Sequence, residues 1–211
     1  MNIREKLAEK LLEIDAISLA NQQNLFTWAS GIKSPIYCDN RLVMSYPEVR
    51  DMVAEGLKNL ILTHYSEAQV LVGTATAGIP HAAWTAQKMN LPMAYVRSSA
   101  KEHGKGNQIE GKIEIGQKVV VVEDLLSTGG SSIKVVRALK DAGANVLGIA
   151  AIFTYGFQKM VDEFMAEDVV YHTITDYNAL LTLARKLGRI TGEEEKILSE
   201  WSKNPYIFTE V

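Results

Sequence analysis

The chain is predicted to fold as an α/β protein, a parallel sheet with helices on both faces. Strand-length apolar runs alternate along it with segments of helical period, the pattern of βα units. Val119-Val120-Val121-Val122 reads as a buried central strand, because four β-branched residues in a row suit a pleated core. That run leads directly into Glu123-Asp124, a hydroxyl- and glycine-rich loop, and a further helical pattern. With 211 residues and 47% hydrophobic content, the chain can bury one sizeable core, so residues 1–211 are read as a single domain.

The elements follow in order. Ile3, Leu7, Leu11 and Ile14 recur at helical spacing and open the chain with an amphipathic helix. Residues 24–41 show no period and are rich in turn formers. Ser45-Tyr46-Pro47-Glu48 reads as a capping box with an early proline, starting a helix that carries Val49, Met52, Val53, Leu57 and Leu60. A short strand over 69–73 and a small-residue turn, Thr74-Ala75-Thr76-Ala77-Gly78, precede a helix over 79–89. Strands are expected over 92–97 and 118–123, a helix over 131–142 closed by Gly143, a strand over 145–153, a helix over 158–165 and a last strand over 169–173. Two C-terminal helices follow, the second opened by Thr191-Gly192-Glu193-Glu194. Residues 101–116 stand apart, with Gly104, Gly106, Gly111 and Gly116 among polar residues. A long excursion between core strands is usually functional or disordered.

The segment after the central strand carries the clearest chemistry. Ligands of open α/β sheets bind at the C-terminal strand edge. Glycines let backbone N–H groups approach a phosphate, and a helix N-terminus favours the anion. Adjacent carboxylates would repel a phosphate, so Glu123 and Asp124 suit a vicinal diol or a cation instead. A phosphate cradle beside a diol acceptor points to a ribose 5-phosphate. A Walker A loop is excluded, since Gly129-Gly130-Ser131 supplies no lysine, and the G-x-G-x-x-G fingerprint is absent. A plain strand–turn–helix with a solvated acidic turn would also carry two acids and a Gly-Gly pair, but not the full run.

That full run, Val119 through Ser131, resembles the phosphoribosyl-diphosphate (PRPP) motif of type I phosphoribosyltransferases. Ser30-Gly31-Ile32-Lys33-Ser34-Pro35-Ile36-Tyr37 and Arg97-Ser98-Ser99-Ala100-Lys101-Glu102-His103-Gly104 narrow the resemblance to orotate phosphoribosyltransferases, over nearly the whole chain. The resemblance implies a parallel sheet flanked by helices, a small N-terminal hood within 1–45 and a flexible lid over 98–116. It implies transfer of the 5-phosphoribosyl group from PRPP to N1 of orotate, giving orotidine 5′-phosphate and pyrophosphate in pyrimidine biosynthesis, through an oxocarbenium-like displacement.

It also implies roles for individual residues. Glu123 and Asp124 face the ribose hydroxyls. The rest of the PRPP loop, from Leu125 and Leu126 through Ser127, Thr128, Gly129, Gly130 and Ser131, cradles the 5′-phosphate. Ser127 and Lys33 contact orotate; Phe26 and Tyr37, read from the residues themselves, suit either the orotate pocket or core packing. Arg97, Lys101 and His103 neutralise the pyrophosphate, with Lys101, His103 and Asp124 as the catalytic set. Asp124 is ranked as a positioning group above a base, because orotate is already anionic. Mg²⁺ is the implied cofactor, held mainly by PRPP phosphates with no protein metal site, and the implied assembly is a homodimer sharing lid residues across subunits. Three positions depart from some family members: Thr76-Ala77 in place of Tyr-Lys, Ser98 in place of a second basic residue, and residues 153–157 without an arginine.

Other features bound the alternatives. A net charge of −3 gives no bulk attraction to nucleic acid or membrane. The single Cys38 permits no internal disulfide or multi-cysteine zinc site and reads as a small hydrophobe. His64, His81 and His172 read as isolated surface or satisfied core residues, with no pair at metal-ligand spacing. Lys105 and Lys112 read as solvated. A charged amphipathic start and the lack of long apolar runs imply a cytoplasmic location. A purine phosphoribosyltransferase would share the PRPP loop but not the other two segments. A PRPP-sensing nucleic-acid binder would need a basic recognition element, and a bifunctional synthase would need room for a decarboxylase beyond Val211.

Overall fold

The computed structural model describes residues 2–20, 24–28, 30–98 and 108–209. Helix α1 (Ile3–Glu13) is capped by the Asn2 side chain, which accepts the Glu5 N–H. Residues 24–41, expected to be irregular, hold short hood strands. Strand β1 (Ile17–Leu19) pairs antiparallel with β4 (Ile36–Cys38), and β2 (Phe26–Thr27) with β3 (Lys33–Ser34). A 3-10 helix (Asn40–Ser45) joins the hood to α2 (Pro47–His64). The expected capping box does not form. Ser45 ends the 3-10 helix, and Tyr46 is the N-cap of α2 with no side-chain cap bond, so Pro47 at the first position sets the start.

The central sheet has six strands in the order β10-β9-β8-β5-β6-β7. They are β5 (Val70–Thr74), β6 (Met93–Val96), β7 (Ile109–Glu110), β8 (Lys118–Leu126), β9 (Asn145–Thr154) and β10 (Tyr171–Asp176). All pair in parallel except the edge strand β7, which returns antiparallel to β6 through Val96↔Ile109 and Tyr95↔Glu110. The mostly parallel sheet matches the expectation, and β7 is the correction. The remaining helices are α3 (Gly78–Met89), α4 (Gly130–Asp141), α5 (Gln158–Ala166), α6 (Tyr177–Lys186) and α7 (Gly192–Lys203).

The four valines are fully buried because both faces of β8 are covered. Val120 and Val122 join a core with α1, the hood, α2, α6 and α7, including Leu7, Ile36, Leu57 and Trp201. Val119 and Val121 join a second core with Val136 and Leu139 of α4 and Phe164 of α5. This is the alternation a pleated strand imposes. The last helix begins with a complete capping box, Thr191 and Glu194 bonding reciprocally. Among the described residues, no helix is long and apolar enough to cross a membrane.

Two strands end differently from the sequence expectation. The last one lies at Tyr171–Asp176, shifted toward the C-terminus from 169–173. The central one continues past Glu123 to Leu126, so Asp124, Leu125 and Leu126 also lie on the strand and not in the loop after it. Close packing at the end of β5 sets where that strand turns. A Cβ on Gly73 would lie 2.7 Å from Ile79 Cα and 3.0 Å from the Gly78 oxygen, both backbone atoms. Gly73→Ala should therefore cost about 1–3 kcal/mol by overpacking. Differential scanning calorimetry should show a fall of about 2–4 °C per kcal/mol. An unchanged melting temperature would mean that the turn after β5 yields freely.

Candidate active site

The site lies at the C-terminal edge of the sheet, where β5 and β8 part. Their ladder runs from Val70↔Val119 to Gly73↔Val122 and stops there, while β8 stays paired with β9 as far as Leu126↔Thr154. Helix α3 follows β5 onto the face of the first core, and α4 follows β8 onto the face of the second. Such a switch point opens a crevice beyond the strand ends.

Glu123 and Asp124 sit at this parting. Glu123 is only 5% exposed, and it accepts a bond from Ser132 Oγ at 3.0 Å on the first turn of α4. Its other oxygen accepts the Asp124 N–H at 3.3 Å. Burial, and then the neighbouring Asp124 carboxyl, push Glu123 up to about 8. Asp124 is also raised, by burial, against the opposing pull of its hydrogen bonds and of Arg41. The pair therefore retains a proton at neutral pH. As the protein stands, Glu123 is committed to Ser132 and the Asp124 backbone.

The loop after β8 has the geometry of an anion cradle. Gly129 is the N-cap of α4 at φ +82°, and α4 has no side-chain cap bond and no acid in its first turn. The first-turn N–H groups thus face outward without a capping acceptor. A Cβ at Gly129 would lie 2.7 Å from Phe164 Cε1, so both the dihedral and α5 demand glycine there. A Cβ at Gly130 would meet nothing within 4 Å, which marks the mouth of the cradle.

An aromatic cleft of about 310 Å³ adjoins the cradle and shares Leu125, Ser127 and Thr128 with it. Its other walls are Trp28, Ser30, Tyr37, Cys38 and Tyr155. The Trp28 and Tyr155 rings lie 5.0 Å apart, and Tyr155 stacks on Phe157 at 5.3 Å. A second cleft of about 420 Å³ lies on the other side of the parting. Thr74, Ala75, Arg97, Ser98, Ser131 and Lys134 are among its walls.

The structure thus joins Arg97 to the end of the loop at Ser131, and Tyr37 to Ser127. Phe26 packs on the Tyr37 ring at 5.7 Å and is not among the cleft's walls. Lys33 also does not line the aromatic cleft; it lies exposed on β3. Its backbone is held from the C-terminal end, the N–H donating to Thr209 Oγ1 at 3.1 Å and the carbonyl accepting from Trp201 Nε1 at 3.2 Å. Lys101 and His103 lie outside the described residues.

The histidines need correction. His64 and His172 are not isolated: their rings stack at 3.6 Å between the end of α2 and β10, at the opposite edge of the sheet from the cradle. His81 is buried as a core residue, but neither ring nitrogen has a partner among the described residues, and burial lowers it to about 4. Residues that sequence reasoning misses include Trp28, Tyr155, Ser132 and Asn40. Asn40 has no local signal, because its partner, Asp124, is 84 positions away.

A model of phosphoribosyl transferase domains matches residues 45–179. The chain is 58% identical over 203 residues to an orotate phosphoribosyltransferase of Bacillus pumilus, covering 96% of this chain and 95% of the relative. Among solved structures, the orotate phosphoribosyltransferase of Aeropyrum pernix has a TM-score of 0.75 at 26% identity, covering 88% of this chain and 99% of that one. The UMP synthase of Leishmania donovani has a TM-score of 0.78 at 29% identity, covering 93% of this chain, which spans 42% of that longer protein.

The raised carboxyl has a consequence for stability. Glu123 stays protonated in the folded chain after an unfolded one would ionise near its ordinary value of 4.5, until about pH 8. The unfolded chain binds fewer protons across that window, so this group's contribution to stability falls as pH rises through it. Glu123→Gln keeps a partner for Ser132 and removes the titration. Melting curves should show the variant gaining on wild type from pH 5 to pH 8. A pH-independent difference would remove the shared proton.

Proposed function

The chain belongs to the orotate phosphoribosyltransferase family, and from that premise we propose how its site works. The chain transfers the 5-phosphoribosyl group of PRPP to N1 of orotate, releasing pyrophosphate and giving orotidine 5′-phosphate, a step toward UMP. One observation carries the reading: the anion cradle and the aromatic cleft share Ser127 and Thr128. A phosphate seated on α4 therefore places its ribose beside a flat, apolar-walled space of heterocycle size.

In this reading the first-turn N–H groups of α4 and the hydroxyls of Ser127, Thr128 and Ser131 hold the 5′-phosphate. Asp124, on the hood side of the strand, and Glu123, once released from Ser132, accept the ribose hydroxyls. Trp28 and Tyr155, in contact with each other, form one wall against the pyrimidine, and Ser127 bonds its edge. Arg97 meets the pyrophosphate in the second cleft, a geometry suited to bidentate contact. Lys101 and His103 add positive charge where the leaving group's negative charge grows, and His103 can protonate it. Closing the cleft excludes water from a reactive sugar cation.

The donor set fits Mg²⁺ that arrives on the diphosphate. Glu123 and Asp124 near the end of β8 would offer oxygen donors beside those of the diphosphate, the ligand type that Mg²⁺ takes. Bound there, Mg²⁺ would neutralise phosphate charge. We further assign the protein a cytoplasmic location and a homodimeric state, with Lys101 and His103 of each subunit serving its partner's site.

The test mixes protein, orotate, PRPP and Mg²⁺ and follows loss of orotate absorbance, with adenine, guanine and hypoxanthine in parallel. Turnover of orotate alone is expected; transfer to a purine would discard the base assignment. Lys101→Ala should lower kcat far more than it raises the KM for PRPP, because its charge acts on the transition state. Equal losses would place Lys101 in ground-state binding. Mixing Lys101→Ala with Asp124→Asn should recover part of the wild-type activity, since a mixed dimer rebuilds one complete site. No recovery would mean that each subunit supplies its own lid.

A further inference from the structure

The last carbonyls of β8 on the open side are held by side chains in place of a strand. Val122 is the last β8 residue paired with β5, and its carbonyl also lies 3.4 Å from Thr74 Oγ1. Two residues on, Asp124 has no partner in β5. The register with β9 also steps over it, from Glu123↔Ala151 to Leu125↔Phe153. Its carbonyl accepts from the Asn40 side-chain nitrogen at 2.7 Å. Asn40 is 1% exposed, and its oxygen accepts from Cys38 Sγ at 3.2 Å. The Cys38 N–H donates to the Tyr155 hydroxyl at 3.2 Å. Cys38 and Tyr155 are walls of the aromatic cleft.

We propose that Asn40 is a positioning residue for the transfer reaction: it fixes the Asp124 peptide in place of a missing strand partner and ties the base cleft to the ribose-binding acids. The proposal rests on the assignment of Asp124 to the ribose. A peptide near a strand end that lacks its own ladder partner is held by fewer hydrogen bonds, and shifting it moves the attached carboxylate. Errors of about 1 Å in a reacting geometry cost on the order of a hundredfold in rate. The bond also explains why an amide is needed at position 40. A carbonyl must be met by a donor, while the thiol of Cys38 needs an acceptor, and one asparagine supplies both.

The test uses Asn40→Asp and Asn40→Leu, each compared with wild type between about pH 6 and pH 9, a range wide enough to ionise a carboxyl raised by burial. In Asn40→Asp the introduced carboxyl can donate to the Asp124 carbonyl while protonated, but not once ionised. The ratio of wild-type to Asn40→Asp activity, in kcat/KM for PRPP, should be about tenfold or more at high pH and shrink toward one as pH falls. Asn40→Leu cannot donate at any pH, so its deficit should not recover on acidification. Calorimetric titration with Mg²⁺ and PRPP gives the same ratios in affinity, independently of orotate. A purely structural role for Asn40 would lower the melting temperature and leave both ratios flat with pH, and flat ratios overturn the proposal. Wild-type protein that binds PRPP yet does not consume orotate would overturn the functional reading, while the affinity ratios would still decide the role of Asn40. If Asn40→Leu does not fold, the pH profile of Asn40→Asp decides alone.

Discussion

The site depends on a mismatch in strand length. Strand β8 runs four residues past its last partner in β5: Glu123, Leu125 and Leu126 stay paired with β9, and the Asp124 carbonyl is taken by Asn40. A parallel ladder satisfies backbone groups on both sides, so ending one side early leaves carbonyls for side chains to meet and opens a crevice. The acids and the loop of the candidate site are placed by that event. Glu123 and Asp124 stand beyond the split, the cradle follows them, and the turn after β5 faces them across the gap. The close approach of Gly73 to the α3 backbone keeps that turn tight and the gap narrow.

The same geometry governs the electrostatics. Two neighbouring acids in a buried strand end would repel each other and any phosphate. The protein answers by keeping a proton on the pair and by bonding Glu123 to Ser132. In the proposed site the anion meets backbone N–H groups at α4, which neither titrate nor need to be desolvated as ions. Cations stand farther out: Arg97 lies in the second cleft, and Arg41 pairs with Asp39 beside the hood. A net charge of −3 is thus compatible with an anion site, because the N–H groups and the nearby arginines act locally.

Much of the site is legible in the sequence because it is local. The valine run, the acids and the Ser-Thr-Gly-Gly-Ser loop follow one another, so spacing alone predicts strand, cradle and helix. Acids and leucines break the β-branched run and suggest an end at Glu123, but pairing with Phe153 and Thr154 carries the strand to Leu126. The box at Ser45 fails because the preceding 3-10 helix claims that residue. Contacts between distant segments leave no trace in any window. The stack of His64 on His172, the hold of Trp201 and Thr209 on Lys33, and the bond from Asn40 to Asp124 all join segments far apart in the chain.

Amide hydrogen exchange, with and without Mg²⁺ and PRPP, tests the central claim most directly. The first-turn N–H groups of α4 have no side-chain cap in the free protein. If they hold the 5′-phosphate, ligand should slow exchange at Gly130, Ser131 and Ser132 first, together with the turn following β5. Protection appearing elsewhere, with these amides unchanged, would contradict the account of the parted strands as the binding site.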